Sequence, residues 1–192
     1  MIGVVLCGGQ SSRMGEDKAM MNTKGISWAQ ASINVLSTLN CPIYLSVNKV
    51  QLPAYGVAYG TEILITDIDS LELYGPLSGL MSAHVKFPLQ DIFILACDMQ
   101  SMKSGAIIEL YNTYTSQTNY DAYVFMQQEK REPLCAIYTH TALQKIQKMN
   151  TDKILKKHSM NYMLDQLTVF EININPDQIE FFKNYNAPGD LQ

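Results

Sequence analysis

The chain has 192 residues, a formal net charge of −4 and 47% hydrophobic residues. A chain of this length buries roughly 70% of the surface of its unfolded state, so it forms a full core without disulfides or metal clips. Its composition excludes intrinsic disorder, and the lack of a basic run argues against a nucleic-acid partner. Every apolar run is shorter than the roughly 20 residues of a membrane span, so we expect no membrane partner.

Short apolar runs of strand type alternate along the chain with segments of helical spacing. The predicted strands are Ile2–Cys7, Ile43–Val47, Glu62–Ile65, Ile92–Ala96, Ala122–Met126 and Leu134–Tyr138. Their apolar residues are continuous rather than alternating, which is typical of strands covered on both faces in a mostly parallel sheet.

Helical spacing predicts helices in the longer intervals between these strands. The first helix follows Ser27 as its N-cap, and the second runs from Pro76 to about Val85. The third carries Ile107, Ile108, Tyr111 and Tyr114, and the fourth begins near Thr139. The stretch from Thr139 to Leu167 indicates mainly helix, with Thr151 or Asp152 as the candidate for a further cap. The repeated βαβ order predicts one three-layer α/β/α domain over residues 1–192, with a Rossmann-like, mostly parallel sheet.

The cysteines and histidines indicate a reducing compartment and no zinc site. Cys7, Cys97 and Cys135 lie in strand-like apolar runs, and the four cysteines form no C-x-x-C pair, so we expect buried, reduced thiols in a cytoplasmic protein. The N-terminal run Ile2–Cys7 lacks a basic leader and is too short for the core of a signal peptide. The three histidines are isolated, so any metal should have oxygen ligands.

Four of the eleven glycines fall within the first fifteen residues, where the chain from Leu6 to Ala19 reads LCGGQSSRMGEDKA. Adjacent glycines let backbone N–H groups approach an anion, and Arg13 and Lys18 add two cations that suit phosphate oxygens. This composition predicts a phosphate-binding loop at the carboxyl end of the first strand. The alternative is a flexible turn with two solvated cations.

The spacing of these glycines excludes two common phosphate-binding loops. Gly8 and Gly9 are followed only by Gly15, which does not fit the dinucleotide fingerprint G-x-G-x-x-G. A Walker loop requires Gly-Lys-Ser or Gly-Lys-Thr, but Lys18 comes three residues after Gly15. We therefore expect a nucleotide-binding loop of another type.

The glycine-rich segment resembles the L-A-G-G-x-x-x-R-M-G-x-D-K signature of nucleotidyltransferases that have the nucleotide-diphospho-sugar transferase fold. Three further segments resemble the branch that makes molybdenum-pterin dinucleotide cofactors: Asp67 followed by G-P-L-S-G-L at 75–80, A-C-D-M at 96–99, and N-Y-N-A-P-G-D-L at 184–191. The last of these is similar to the terminal motif of molybdenum cofactor guanylyltransferases. Two departures from the family pattern are Gln100, where a proline is usual, and Cys7, where alanine is usual.

The resemblance implies which residues hold the substrates. Nucleotide contacts are expected from the backbone of Leu6, Cys7 and Gly8 and from Gly9, Lys18, Asn48, Asp67 and Asp98, and contacts on the pterin side from Asn184 and Asn186. Asp98 also follows a predicted strand, so its carboxylate should emerge at the edge of the sheet where α/β proteins bind ligands, and there it can hold Mg²⁺. Arg13, Lys18 and Asp98 are therefore the candidate catalytic residues.

Each of these assignments has a structural alternative. Asp98 could cap the following helix, and Asp67 could belong to a solvated acidic loop with Asp69 and Glu72. Asn48 could end its strand in a turn. Asn184 and Asn186 could belong to an Asn-Pro-rich terminal turn.

The implied reaction is attack by a pterin phosphate on the α-phosphorus of GTP, with release of pyrophosphate. The resemblance implies GTP and molybdopterin as substrates, Mg²⁺ as cofactor, and molybdenum-cofactor insertion proteins or molybdoenzymes as protein partners. The alternatives are a molybdopterin cytidylyltransferase, a sugar-phosphate nucleotidyltransferase, or a nucleotide-sensing protein without turnover.

Overall fold

The computed structural model of the chain describes residues 1–8, 17–23 and 25–185. The strands in these ranges are β1 (Ile2–Leu6), β2 (Asn22–Thr23), β3 (Ile26–Ser27), β4 (Ile43–Val47), β5 (Leu64–Thr66), β6 (Ile92–Ala96), β7 (Ala122–Gln127), β8 (Lys130–Tyr138) and β9 (Val169–Asn173). The helices are α1 (Trp28–Leu36), α2 (Leu52–Tyr59), α3 (Pro76–Lys86), α4 (Ser104–Ser116), α5 (His140–Thr151) and α6 (Met160–Leu164).

The central sheet has seven strands among the described residues, in the order β5-β4-β1-β6-β8-β7-β9. Strand β1 pairs in parallel with β4 and β6, β4 with β5, and β7 with β9. Only β8 runs antiparallel to its neighbours β6 and β7. The mostly parallel sheet predicted from the continuous apolar runs is therefore confirmed.

Helices cover both faces of this sheet. Val5 of β1 packs with residues of α1 and α4, whereas Val4 faces the opposite side and packs with residues of α3, α5 and α6. All five residues of β1 and of β6 are buried, because both strands lie inside the sheet with a helical layer above and below them. The three-layer α/β/α prediction is confirmed.

The helix starts at Ser27 and Thr139 follow their sequence signals. The Ser27 hydroxyl accepts a hydrogen bond from the Gln30 N–H, and the Thr139 hydroxyl accepts one from the Ala142 N–H. Each hydroxyl thereby satisfies a donor that the first turn of a helix leaves unpaired.

Of the two candidate caps Thr151 and Asp152, the structure makes Asp152 a cap. Thr151 ends α5, and Asp152 is the C-cap residue of that helix. The next helix, α6, begins after Ser159, whose hydroxyl accepts a hydrogen bond from the Tyr162 N–H. A polar side chain near a helix boundary caps whichever end the tertiary packing assigns, so its type alone does not distinguish a start from an end.

Helix α2 and strand β9 were not predicted from the sequence. Helix α2 is apolar on every side and contains Pro53 and Gly56, so its sequence has no helical period. Strand β9 lies at the edge of the sheet and is only partly buried, so it lacks the continuous apolar run of a central strand.

The buried cysteines agree with the sequence prediction. Cys7, Cys97 and Cys135 are buried with free thiols, and burial raises the pKa of the Cys7 and Cys135 thiols well above the usual value. Cys41 is half-buried and also free. Within the described residues, none of the helices is long and apolar enough to cross a membrane.

Candidate active site

Four parallel strands end at one edge of the sheet, and each is followed by a residue that the sequence singled out. Gly8 follows β1, Asn48 follows β4, Asp67 follows β5 and Asp98 follows β6. Backbone hydrogen bonds continue the pairing past the strand ends, for example from the Gly8 N–H to the Ser46 carbonyl at 3.2 Å. Parallel pairing therefore brings these four positions together, although they are far apart in the sequence.

A cavity of about 480 Å³ opens at this edge. Its lining consists of Leu6, Gly8, Ser46, Asn48, Asp67, Tyr74, Gly75, Pro76 and Gly79. This volume falls in the usual range for small-molecule sites. Four of the lining residues were predicted from the sequence as nucleotide contacts.

The cavity wall formed by α3 depends on the absence of a side chain at Gly79. A Cβ atom there would lie 2.4 Å from the Ser46 Oγ and 3.2 Å from a methyl group of Leu6. Helix α3 therefore packs directly against β4 and β1 beside the cavity. Neither Ser46 nor Gly79 was predicted as a site residue, because only the packing of α3 on the sheet brings them to the cavity.

Asn48 forms a turn after β4 and also lines the cavity. Its Oδ1 atom accepts hydrogen bonds from the Val50 N–H at 2.9 Å and the Gln51 N–H at 3.0 Å. These hydrogen bonds form the strand-ending turn that was the alternative role predicted for Asn48. The same residue lines the cavity, so the two interpretations do not exclude each other.

Asp67 belongs to the cavity rather than to the exposed acidic segment that follows it. Its carboxyl group is half-buried, and burial raises its pKa, while a hydrogen bond with Ser78 acts in the opposite direction. Asp69 and Glu72, by contrast, are exposed and form ion pairs with Lys49 and Lys153. The solvated-loop alternative thus describes Asp69 and Glu72 but not Asp67.

Asp98 carries a carboxylate oxygen that the described residues leave without a partner. Its Oδ1 atom is buried and has no hydrogen-bond partner among them. Burial raises the pKa of this carboxyl group, and the nearby positive charge of Lys18 acts in the opposite direction. The structure therefore brings Lys18 and Asp98 together.

Asp98 does not cap the helix that follows it, because Lys103 is the N-cap residue of α4.

The chemistry of this oxygen suits a hard cation. Within the described ranges, no three His, Cys, Asp or Glu side chains gather into a cluster that could hold a metal by itself. Mg²⁺ requires only one or two carboxylates when phosphate oxygens and water complete its coordination. An unpartnered Asp98 oxygen fits that role, since an isolated buried carboxylate is otherwise costly.

The C-terminal segment reaches the loop that carries Asp98. The Tyr185 N–H donates to the Asp98 carbonyl at 3.0 Å, and the Tyr185 hydroxyl group lies 2.7 Å from the Ser101 Oγ. Asn184, the preceding residue, is exposed. Gln100 donates from its amide to the Cys97 carbonyl at 2.6 Å, so this departure from the family pattern contributes a hydrogen bond to the same loop. Gly9, Arg13 and Asn186 lie outside the described residues.

The fold and this site define a nucleotidyltransferase of the α/β class. The sequence model of the MobA-like NTP transferase domain matches residues 3–167, and the chain belongs to that family.

Two similar proteins and one solved structure have names that refer to molybdenum cofactor or molybdopterin. The chain is 30% identical over 191 residues to a molybdenum cofactor biosynthesis bifunctional protein of Synechocystis sp., covering 99% of the chain but only about half (52%) of that relative. It is 27% identical to a probable molybdenum cofactor guanylyltransferase of Geobacillus sp., covering 100% of the chain and 96% of the relative. The crystal structure of molybdopterin-guanine dinucleotide biosynthesis protein A from Archaeoglobus fulgidus superposes with a TM-score of 0.77 at 21% identity, covering 100% of this chain and 95% of that one.

Proposed function

We propose that this protein transfers GMP from GTP to the phosphate of molybdopterin and releases pyrophosphate. The observation that carries the proposal is that one edge of the sheet has both a cavity of about 480 Å³ and, after β6, the Asp98 carboxyl oxygen without a described partner, with the Lys18 charge near that carboxyl group. The names of the Geobacillus relative, a probable guanylyltransferase, and of the Archaeoglobus protein, which refers to molybdopterin-guanine dinucleotide, support a guanine nucleotide as donor and molybdopterin as acceptor.

The base and ribose of the nucleotide would occupy the cavity. Leu6, Cys7 and Gly8 offer backbone carbonyl groups at the end of β1, since the N–H groups of Cys7 and Gly8 already donate to the Ser46 carbonyl. Asn48 offers its side-chain amide at the end of β4. The Asp67 carboxylate suits guanine, because the base presents a ring N–H and an amino group as two adjacent donors. Cytosine presents an amino group but no ring N–H donor beside it, so the same carboxylate would bind it less well.

The triphosphate would extend toward Lys18 and Asp98. Lys18 supplies positive charge for the phosphate oxygens, and Arg13 of the glycine-rich segment supplies a planar fork for the same purpose. Asp98 would hold Mg²⁺, which neutralises charge on the α-phosphate and on the departing pyrophosphate when it is bound. Glycines 8 and 9 would let the backbone approach the phosphates closely.

The reaction requires no general base from the protein. An oxygen of the molybdopterin phosphate is already anionic at neutral pH, and it forms a bond to the α-phosphorus while the bond from that phosphorus to the pyrophosphate oxygen breaks. The protein therefore contributes positioning and charge stabilisation. Asn184 and Asn186 are proposed contacts of the acceptor, because Tyr185 between them donates to the Asp98 carbonyl. Insertion proteins or molybdoenzymes would then receive the product.

Incubation with molybdopterin, Mg²⁺ and each of the four nucleoside triphosphates in turn tests the proposal. Of the four nucleotides, we expect only GTP to yield pyrophosphate and a dinucleotide product, which is identified by its mass as the guanine form. A cytosine dinucleotide would instead assign a cytidylyltransferase, and binding of GTP without pyrophosphate release would assign a nucleotide-sensing protein. The matched control is Lys18→Ala, which should fold normally and lose about 10² to 10³ in rate.

A further inference from the structure

The side-chain amide of Gln51 joins three segments that meet at the candidate active site. Its Nε2 atom donates to the Cys7 carbonyl at 3.1 Å and to the Asp17 Oδ2 at 2.7 Å. Its Oε1 atom accepts from the Asn48 N–H at 2.9 Å. Gln51 thus links the described residues on either side of positions 9–16 to each other and to the end of β4.

Tyr55 reaches the same carboxylate from one turn further along α2. Its side chain is fully buried, and its hydroxyl group donates to the Asp17 Oδ1 at 3.1 Å. The Tyr55 N–H donates to the Gln51 carbonyl at 3.1 Å, so the two residues lie one above the other on one face of the helix. The two Asp17 oxygens therefore accept hydrogen bonds from the N-cap residue of α2 and from its first turn.

Asp17 in turn orients Lys18. It is the N-cap of the short 3-10 helix Lys18–Met20, and its Oδ1 atom accepts from the Ala19 N–H at 3.1 Å. Ala19 is fully buried, which anchors this helix to the core. The backbone at Lys18 is therefore held between Asp17 and Ala19, and the Lys18 charge acts on Asp98.

We propose that Gln51 and Tyr55 are positioning residues for catalysis, acting through Asp17 on Lys18. This inference rests on the proposed function, in which Lys18 meets the phosphates of the nucleotide. A catalytic group displaced by about 1 Å can cost about 10²-fold in rate, so a network of buried hydrogen bonds behind Lys18 has a direct effect on turnover. Helix α2, which carries no charged residue, would thus contribute to the site through Tyr55 and through its N-cap residue Gln51.

Tyr55→Phe is the most direct test, because it keeps the buried ring and removes only the hydroxyl group. Because the hydrogen bond to the Asp17 carboxylate also stabilises the fold, we expect a modestly lower melting temperature. At a temperature where the variant remains folded, we expect a fall of about 10-fold in kcat and a KM for molybdopterin within about 2-fold of wild type. The matched control is Tyr59→Phe one turn later on α2, whose hydroxyl group instead contacts the Ser27 Oγ at 2.5 Å. Equal kcat values in the two variants would overturn the proposal.

A double-mutant cycle distinguishes action through Lys18 from a general structural effect. In the Lys18→Ala background, Tyr55→Phe should cost less than about 2-fold, because the residue that it positions is gone. The same 10-fold loss in both backgrounds would contradict the proposal. Gln51→Ala should behave in the same way, and should also raise the KM for GTP because Gln51 contacts Cys7 and Asn48.

Binding measurements separate this proposal from the proposed function. If no nucleoside triphosphate yields pyrophosphate, the proposed function is wrong, and the dissociation constants of GTP and guanosine then decide the positioning role. Tyr55→Phe should weaken GTP binding by about 3-fold or more and leave guanosine binding unchanged, since only GTP carries phosphates for Lys18. Equal effects on the two ligands, or none on either, would overturn the positioning role.

Discussion

Lys18 and Asp98 lie close together although they are 80 positions apart in the chain, and the lysine charge opposes the effect of burial on the pKa of the aspartate. Lys18 belongs to a short helix after the glycine-rich segment, whereas Asp98 follows β6. A cation beside a buried carboxylate with an unpartnered oxygen is an arrangement that favours polyphosphate and a divalent metal together.

Asp98→Asn should abolish the magnesium-dependent part of the activity while preserving the fold. The substitution keeps the size of the side chain and removes the charge that would hold Mg²⁺, so we expect a loss of about 10² to 10³ in rate. The melting temperature should not fall, because the substitution removes the negative charge from a group whose buried Oδ1 atom has no hydrogen-bond partner among the described residues. Magnesium titration of pyrophosphate release checks this, with the exposed Asp69→Asn as control. A normal magnesium response in Asp98→Asn would move the metal site elsewhere.

Gly79→Ala should disturb the wall of the cavity. The added Cβ atom would lie 2.4 Å from the Ser46 Oγ, so α3 must move away from β4 or the serine must shift. We expect a destabilisation of about 1 to 3 kcal/mol, measured by denaturant unfolding, and weaker GTP binding. Ser46→Ala combined with Gly79→Ala should recover part of both losses. Gly105→Ala is the control, since nothing lies within 4 Å of the corresponding position. No difference between the two glycine variants would contradict the close approach.

Tyr74 should contribute to nucleotide binding through its ring. It lines the cavity although 73% of it is exposed, and its ring stacks on His158 with centroids 5.4 Å apart. Stacking of an aromatic side chain on a base contributes about 1 to 3 kcal/mol, so Tyr74→Ala should weaken GTP binding about 10-fold while Tyr74→Phe should not. Calorimetry with both variants checks this, with the distant, exposed Leu89→Ala as control. Equal affinities in all three variants would exclude the ring from the site.

His84 should make the protein less stable in mild acid. It is fully buried in α3, and both ring nitrogens lack a hydrogen-bond partner among the described residues. Burial lowers its pKa below the usual 6.5; the neighbouring Gln147 side chain acts in the opposite direction, and the nearby His140 acts in the same direction as burial. Below pH 6.5 the unfolded state binds a proton that the folded state does not, so the free energy of unfolding falls as the pH decreases from 6.5 toward the lowered pKa; above 6.5 this group contributes no pH dependence.

His84→Met should therefore reduce the pH dependence of stability between pH 7 and 5. Denaturant unfolding at several pH values measures the slope, and the half-exposed His158→Met should retain it. An identical slope in wild type and His84→Met would show that another group is responsible.

The elements with a strong local signal were predicted correctly. Strands β1 and β6 are central and buried on both faces, which requires a continuous apolar run. Helices α1 and α5 begin at residues whose hydroxyl groups satisfy the first-turn donors. Helix α2 was missed because a helix that is apolar all round has no amphipathic period, and β9 because an edge strand needs no continuous apolar run.

The sequence by itself determined the polar groups at the ends of the parallel strands, because the position of Asn48, Asp67 or Asp98 after an apolar run is a local property. Tertiary structure alone decided what surrounds them. Gln51 and Tyr55 meet Asp17 only because α2 packs beside the end of β1, and Gly79 meets Ser46 only because α3 packs on β4. Such contacts join positions far apart in the chain, and the physical condition that creates them is the close packing of layers, which no local pattern records.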